Sequence, residues 1–369
     1  MKILLDLRCL ETISAARGIG RYARELTRAL RDIVPRGSSL SGLSWSGLGA
    51  RLGVEDVPCR SPRRGISLTD RYLLPPLLRR HGIELYHSTA YALPSAGVAG
   101  VALVLTIFDL VPEIHPEAVT WRQRLAFRRA FRSARLADRV VTISETTRND
   151  LLERFPVEAR RVSAIPIGVA PDLLQSGGET AAGELAPPFM LYVGGLDPLK
   201  NVPFLLRVLE RVRREERSMR LVVIGEEGPR LEALRAEAAR LGLTAHLHLA
   251  GHLDDRRLAA AYRAATAFVF PSRYEGFGLP PVEAMAAGCP VVSTREGSLG
   301  EVLGDAALFA APDDVEGWAG GILALLRDVG LRAGRVEAGR TRASGYTWER
   351  TARATLAVYE QAIAESRRK

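Results

Sequence analysis

The chain has 369 residues, with 51 Lys plus Arg against 42 Asp plus Glu for a net charge of +9, and 47% of it is hydrophobic. That length accommodates about two or three domains of roughly 100–200 residues, each able to bury its own core, so disorder, collagen and disulfide scaffolds are excluded. Cys9, Cys59 and Cys289 are scattered, with no Cys-x-x-Cys pair, which argues against a disulfide framework or a thiolate zinc site and fits a reducing cytosol.

The charges of Lys2, Asp6 and Arg8 interrupt what a signal peptide would need as an unbroken apolar core, and residues 2–7 read instead as a first strand. Further strand patterns fall at 84–88, 101–107, 139–143 and 161–165, with helical patterns over 18–33, 69–81, 120–137 and 146–155. The longest uncharged apolar run, 96–108, is 13 residues. It is well short of the ~20 that a spanning helix needs, and its valines suit a buried strand. The stretch 36–67 is rich in Ser and Gly and carries no clear period. From 171 to 188 the pattern lapses into small polar residues ending in Pro187-Pro188, which reads as a domain linker. It then restarts, with strands at 189–193, 220–224, 245–249, 267–270 and 290–293 and helices over 203–214, 229–241, 254–264, 281–287 and 315–327. Short strands alternating with longer amphipathic stretches predict an α/β fold of two similar doubly wound, parallel-sheet halves in tandem.

In open parallel sheets, ligands bind beyond the carboxyl ends of the strands, where loops lead into helix N-termini. Gly194-Gly195, Gly225, the loop 271–278 and the loop 294–298 all fall in such places. A cleft between the two halves is the expected active site. The most informative run extends from Pro271 through Glu275-Gly276-Phe277-Gly278-Leu279 and Glu283 to Val292: strand end, glycine loop, proline-opened helix, glycine stop, next strand. It leaves the N–H groups of Gly278 and Leu279 at the positive end of a helix dipole, a ready phosphate site. Glu275 sits in the loop and Glu283 is expected in the first helical turn, seven residues intervening. A lone Glu in either place is most often a dipole complement or a solvated charge. Beside a phosphate site, two carboxylates make more sense as acceptors for sugar hydroxyls, one for a ribose and one for a transferred sugar.

This run closely resembles the E-x7-E signature of the retaining glycosyltransferases of family 4, which have the GT-B fold of two Rossmann-like domains facing a central cleft. Further segments along nearly the whole chain resemble the same family. Gly18-Ile19-Gly20-Arg21-Tyr22 is similar to its first acceptor-side loop, Tyr86-His87-Ser88 and Ile107-Phe108-Asp109-Leu110 to the next two, and Thr142-Ile143-Ser144-Glu145 to its usual strand-to-helix turn. Tyr192-Val193-Gly194-Gly195-Leu196-Asp197-Pro198-Leu199-Lys200-Asn201 resembles the family's donor-phosphate loop. The nearest likeness is to the bacterial mannosyltransferase-like branch that builds surface polysaccharides.

The resemblance implies a domain over 1–170 that binds the acceptor, a linker over 171–188, and a domain over 189–350 that binds a nucleotide-diphosphate sugar. A C-terminal helix over 351–369 would pack back on the first domain. The activity implied is hexosyl transfer, mannose favoured, from a nucleotide-diphosphate sugar such as GDP-mannose to a saccharide or lipid-linked acceptor in polysaccharide synthesis, with the nucleotide base left open by the sequence. Gly194, Gly195, Lys200, Glu275, Gly276, Phe277, Gly278, Leu279 and Glu283 would bind the donor, with Glu275 on the sugar, Glu283 on the ribose and Lys200 on the diphosphate. Gly18, Ile19, Gly20, Arg21, His87 and Phe108 would lie on the acceptor side. Many members have a His where Phe108 stands, and several have an Arg where Gly195 or Leu199 stands. Lys200 and the helix N-terminus then carry more of the charge, and Asp109 or His87 supplies what the missing His does, so the catalytic set is Glu275, Lys200 and Asp109. The resemblance implies no metal or other cofactor, and no Asp-x-Asp occurs anywhere in the chain to bridge a metal to the diphosphate.

Lys200 also makes sense unaided. It follows a strand and a glycine pair, ahead of a helix that Asn201 could cap and Pro203 could open, and it is one of only three lysines, so its placement stands out from the arginines. Gly18 to Ala23 fits a dinucleotide fingerprint, but the preceding strand ends too early and no acidic residue follows at the required distance. His246 and His248 would share a face of an interior strand, with His252 nearby, and no carboxylate among them favours a metal. Trp121 to Arg135 is a basic helix with apolar Leu125, Phe127 and Phe131. It could equally be a solvated surface face or rest on anionic headgroups at the inner face of the plasma membrane. Nucleic acid is not expected, since no aromatic stacking platform accompanies the arginines. Two other classes remain open: a sugar-nucleotide-binding protein without transfer activity, motivated by Phe108 and the missing Arg, and a Rossmann oxidoreductase resting on Gly18 to Ala23 alone.

Overall fold

Runs of apolar residues too short for helices become parallel strands covered on both faces, and the loops at their carboxyl ends carry the glycines and charges. The computed structural model describes residues 1–12, 15, 18–59, 66–89, 93, 98–170, 185–225 and 228–367. Two compact units divide the chain, Met1–Gly168 with Trp348–Lys369, and Val169–Thr347. Most of the expected linker, 171–184, lies outside the described residues.

In the first unit the strands are β1 Lys2–Asp6, β2 Ser39–Ser44, β3 Glu55–Pro58, β4 Leu85–Ser88, β5 Ala102–Ile107, β6 Arg139–Thr142 and β7 Val162–Ala164, in the order β3-β2-β1-β4-β5-β6-β7. Every described pairing is parallel, Leu4 standing opposite Ser41 on one side and Tyr86 on the other. The strand order reverses between β1 and β4, the switch point at which such sheets open a crevice. The helix Gly18–Ile33 has the bounds its apolar spacing predicts and buries Tyr22, Ala23, Leu26 and Leu30. The last helix, Trp348–Ser366, belongs to this unit and packs against Gly18–Ile33, β5 and β6.

β2 and β3 lie in the stretch that carried no clear period. Their residues, Ser-Leu-Ser-Gly-Leu-Ser and Glu-Asp-Val-Pro, are poor strand formers. Contacts hold them: a Cβ on Gly42 would come within 2.5 Å of Leu7 Cδ1, and Ser44 Oγ donates to Asp56 Oδ1 at 2.6 Å. β3 forms the sheet edge, where Pro58 is tolerated.

In the second unit β8 Phe189–Val193, β9 Arg220–Ile224, β10 Leu247–Gly251, β11 Ala267–Phe270, β12 Val291–Ser293 and β13 Leu308–Phe309 run in the order β10-β9-β8-β11-β12-β13, switching between β8 and β11. β10 is the edge strand rather than an interior one, and His246 belongs to the 3-10 turn Thr244–His246 before it, so His246 and His248 do not share a strand face. Among the described residues no three His, Cys, Asp or Glu side chains are grouped to hold a metal ion, and no helix is long and apolar enough to cross a membrane.

Candidate functional site

The second unit gathers its polar loops at the ends of β8, β9, β11 and β12. After β8 the backbone turns at Gly194, φ 149°, where Gly194 N–H donates to Ile224 O at 3.0 Å. A Cβ on Gly225 would lie 2.2 Å from Gly194 O, so the loops after β8 and β9 approach closely only because that residue is glycine. Tyr192 Oη donates to Gly195 O at 2.6 Å and holds the loop from beneath. A short 3-10 turn, Pro198–Lys200, then delivers Lys200. Asn201, at φ 52°, does not cap the next helix; its Nδ2 donates to Pro312 O at 3.1 Å, while Pro203 precedes the helix Phe204–Arg213.

Lys200 Nζ donates to Glu275 Oε1 at 2.6 Å and lies 5.9 Å from the Phe270 ring centroid. The pair keeps 26% and 12% of its side-chain surface exposed, so it faces the rim. Arg273 N–H donates to Leu199 O at 2.7 Å and ties the β11 loop to the β8 loop. Three further groups complete the frame, two of them in the loop 294–298. Ser298 gives both its N–H and its Oγ to Glu275 O at 3.0 Å, and Gly297, φ 60°, is required because a Cβ there would lie 2.5 Å from the same oxygen. Tyr262 Oη donates to Glu283 Oε2 at 3.3 Å. Only the small residues following β12 hinted at the first two; nothing local pointed to Tyr262.

The helix after the loop runs over Leu279–Ala286, starting at Gly278, φ 87°. It begins two residues earlier than its prolines indicate, because Pro280 and Pro281 lie at positions whose N–H groups no helical bond uses. Glu283 therefore belongs to the second turn, not the first, and is buried. Gly278 and Leu279 open the helix, so neither N–H has a helical partner four residues back. Gly276 and Gly278 are buried and Leu279 is half-buried. The Phe277 ring is buried edge-on against Tyr346 at 5.4 Å, so only its main chain lies open to the loop's surroundings.

The residues expected on the acceptor side all belong to the first unit. Gly18 is exposed at the start of its helix, Ile19 and Arg21 are half-buried and Gly20 is buried. Phe108 is half-buried and meets the Tyr22 ring edge-on at 5.0 Å. Asp109 accepts from Val111 N–H at 3.0 Å, at the start of the turn Val111–Ile114. His87 is corrected outright: it is fully buried, its Nδ1 lies 2.6 Å from Tyr359 Oη and its Nε2 2.8 Å from Thr106 Oγ1. Burial pushes its pKa down to about 3, so the ring is neutral and presents no nitrogen to a ligand.

At the end of β1 lies a second ionic group. Arg8 gives Nε and one terminal nitrogen to Asp6 at 2.9 and 2.6 Å and both terminal nitrogens to Asp70 at 2.7 Å, and Tyr86 Oη donates to Asp6 at 2.8 Å. Burial opposes ionisation of Asp6, but the Arg8 charge and hydrogen bonds overcome it and hold its pKa below the usual carboxylate value. At Asp70 burial prevails and the pKa is raised.

Two doubly wound parallel-sheet units with a lysine, a glycine-rich loop and paired carboxylates on the strand ends of the second define the class of GT-B glycosyltransferases. A profile of group 1 glycosyl transferases matches residues 182–342, and one of glycosyltransferase family 4 matches residues 16–173. The chain belongs to glycosyltransferase family 4. It is similar to the O-antigen chain mannosyltransferase B of Escherichia coli, 29% identical over 93% of this chain and 96% of that one. It is also similar to the MMP alpha-(1->4)-mannosyltransferase of Mycolicibacterium hassiacum, 33% identical over 72% of this chain and 66% of that one. In fold it matches the sucrose-phosphate synthase of Thermosynechococcus elongatus, with a TM-score of 0.80 at 22% identity, covering 99% of this chain and 100% of that one.

Proposed function

We propose that this glycosyltransferase moves mannose from GDP-mannose to a saccharide or lipid-linked acceptor of a surface polysaccharide, with retention of anomeric configuration and without a metal. The observation that carries the reading is the rim-facing Lys200–Glu275 pair beside the Leu279–Ala286 helix N-terminus, a cation and a helix dipole set for a diphosphate with a carboxylate set for hydroxyls. The likeness to a mannosyltransferase over nearly the full length of both chains supports the choice of sugar.

In this reading the diphosphate takes over Lys200 and the Gly278 and Leu279 N–H groups. Glu275, released from Lys200, accepts sugar hydroxyls. Glu283, buried and held by Tyr262 Oη at 3.3 Å, accepts from the ribose. The acceptor hydroxyl attacks the anomeric carbon from the face that the diphosphate leaves. The bond from that carbon to the diphosphate oxygen breaks, the bond to the acceptor oxygen forms, and the hydroxyl proton passes to the departing oxygen. Negative charge grows on the leaving group, where Lys200 stabilises it.

Calorimetric titration of GDP, UDP, ADP and dTDP in chelator tests the donor site. GDP should bind best, and Glu283→Ala should weaken it by about tenfold or more, the size of a lost charged hydrogen bond. No binding of any nucleotide would sink the reading, and a metal requirement would remove its metal-free part. NMR of the product should show the donor's anomeric configuration.

The same reading places the protein peripherally on the inner face of an anionic membrane. On the helix Trp121–Arg132, Trp121, Leu125 and Phe127 stand exposed among arginines, of which Arg124 and Arg128 also pair with Glu113. Sedimentation with anionic vesicles should fall as salt rises. Equal sedimentation with neutral vesicles would remove this part of the proposal.

A further inference from the structure

Four buried side chains of the first unit form one continuous hydrogen-bonded path. Tyr359, on the helix Trp348–Ser366, meets His87 Nδ1 of β4, and His87 Nε2 meets Thr106 Oγ1 of β5. Thr106 Oγ1 lies 3.2 Å from Tyr22 Oη on the helix Gly18–Ile33. The Tyr22 ring in turn packs edge-on against Phe108 and, with centroids 6.1 Å apart, edge-on against Trp348. A neutral imidazole has one donor and one acceptor nitrogen, so in either tautomer it can bridge two hydroxyls. Apolar residues of similar size would fill the same volume, but a satisfied buried network also fixes how each side chain is turned.

We propose that this relay positions the loop Phe108–Leu110, so that the seating of the C-terminal helix sets how the acceptor is held. His87, Thr106 and Tyr359 are positioning residues in it and touch no substrate. The proposal rests on the reading of that loop as acceptor-binding. Phe108 is its contact with the relay, through Tyr22. Its far side is fixed by Asp109, which receives Val111 N–H, and by Leu110 O, which receives Glu113 N–H and Ile114 N–H at 2.9 and 3.0 Å.

Thr106→Val keeps the shape and removes the hydroxyl, Thr106→Ser keeps the hydroxyl, and Tyr359→Phe removes only the phenolic oxygen. Hydrogen exchange on the full chain without ligand should quicken about tenfold at the Val111, Glu113 and Ile114 amides in Thr106→Val and Tyr359→Phe, and not in Thr106→Ser. With GDP-mannose as donor and n-octyl α-mannoside as acceptor probe, the same two variants should raise the KM for the mannoside about fivefold, with kcat and GDP affinity within about twofold of wild type. Exchange that is unchanged at these amides, or that rises equally throughout the unit, overturns the relay. If the exchange pattern appears while both variants keep the wild-type KM for the mannoside, the relay holds the loop but the acceptor reading of the loop fails. A wild type that transfers nothing to the mannoside sinks the proposed sugar and acceptor, with the exchange pattern still deciding the relay.

Discussion

Arg8 and Lys200 occupy equivalent topological places, each following the first strand of its sheet at the point where the strand order reverses, yet they have opposite fates. Arg8 is 2% exposed and held by two carboxylates through all three of its nitrogens, whereas Lys200 is 26% exposed and gives one bond to one carboxylate. Position at a switch point therefore does not make a cation a ligand group. The difference is how far the donors are used inside the fold: Arg8 holds β1 to the helix Ile66–Arg80 through every side-chain nitrogen, while the Lys200 ammonium, with three N–H donors, gives one bond at the rim.

Removing each cation should separate these roles. Arg8→Met strands Asp6 and Asp70 in the interior and should cost about 3–5 kcal/mol of stability in urea titration. A loss near that of an ordinary surface substitution would mean that the network is not holding the fold.

His87 tests the interior of the first unit by pH. Its folded pKa is pushed down to about 3 from an ordinary 6.5, so between those values the unfolded chain binds the extra proton. This contribution is full above about pH 6.5 and is lost as pH falls, at about 1.4 kcal/mol per unit. Between about pH 6.5 and 5, wild type should lose about 2 kcal/mol more than His87→Asn. Equal losses would show that His87 is not held neutral.

Lys200→Met should give the smallest stability change, within about 1 kcal/mol, because a partly exposed pair contributes little. It should nevertheless weaken GDP binding about tenfold or more in calorimetry. A variant that unfolds like Arg8→Met, or that binds GDP like wild type, would erase the contrast between the two rims.

Much of the second unit was legible because its signals are local. β8, β9 and the helix Val315–Arg327 have the bounds that periodicity predicts. The loop and helix from Glu275 to Glu283 could be read because glycine and proline act within a few residues of themselves. The first unit was harder. β2 and β3 are built from serines, glycine and acids whose strand conformation comes from neighbours, and His87, at the end of a strand pattern, had no local mark of burial.

By itself, the sequence determined the alternation of strands and helices, the doubly wound class, the glycine-bearing loops and the candidate carboxylates, since each depends on backbone preferences and apolar spacing over short stretches. Tertiary structure alone decided which side chains those elements bring together. Lys200 and Glu275 are 75 residues apart in sequence, His87 and Tyr359 are 272 apart, and the chain's last helix belongs to its first unit. Such pairings follow from strand order and the return of a distant helix. Whether a charged or titratable group is saturated inside or left at the rim depends on those partners, and no local pattern encodes them.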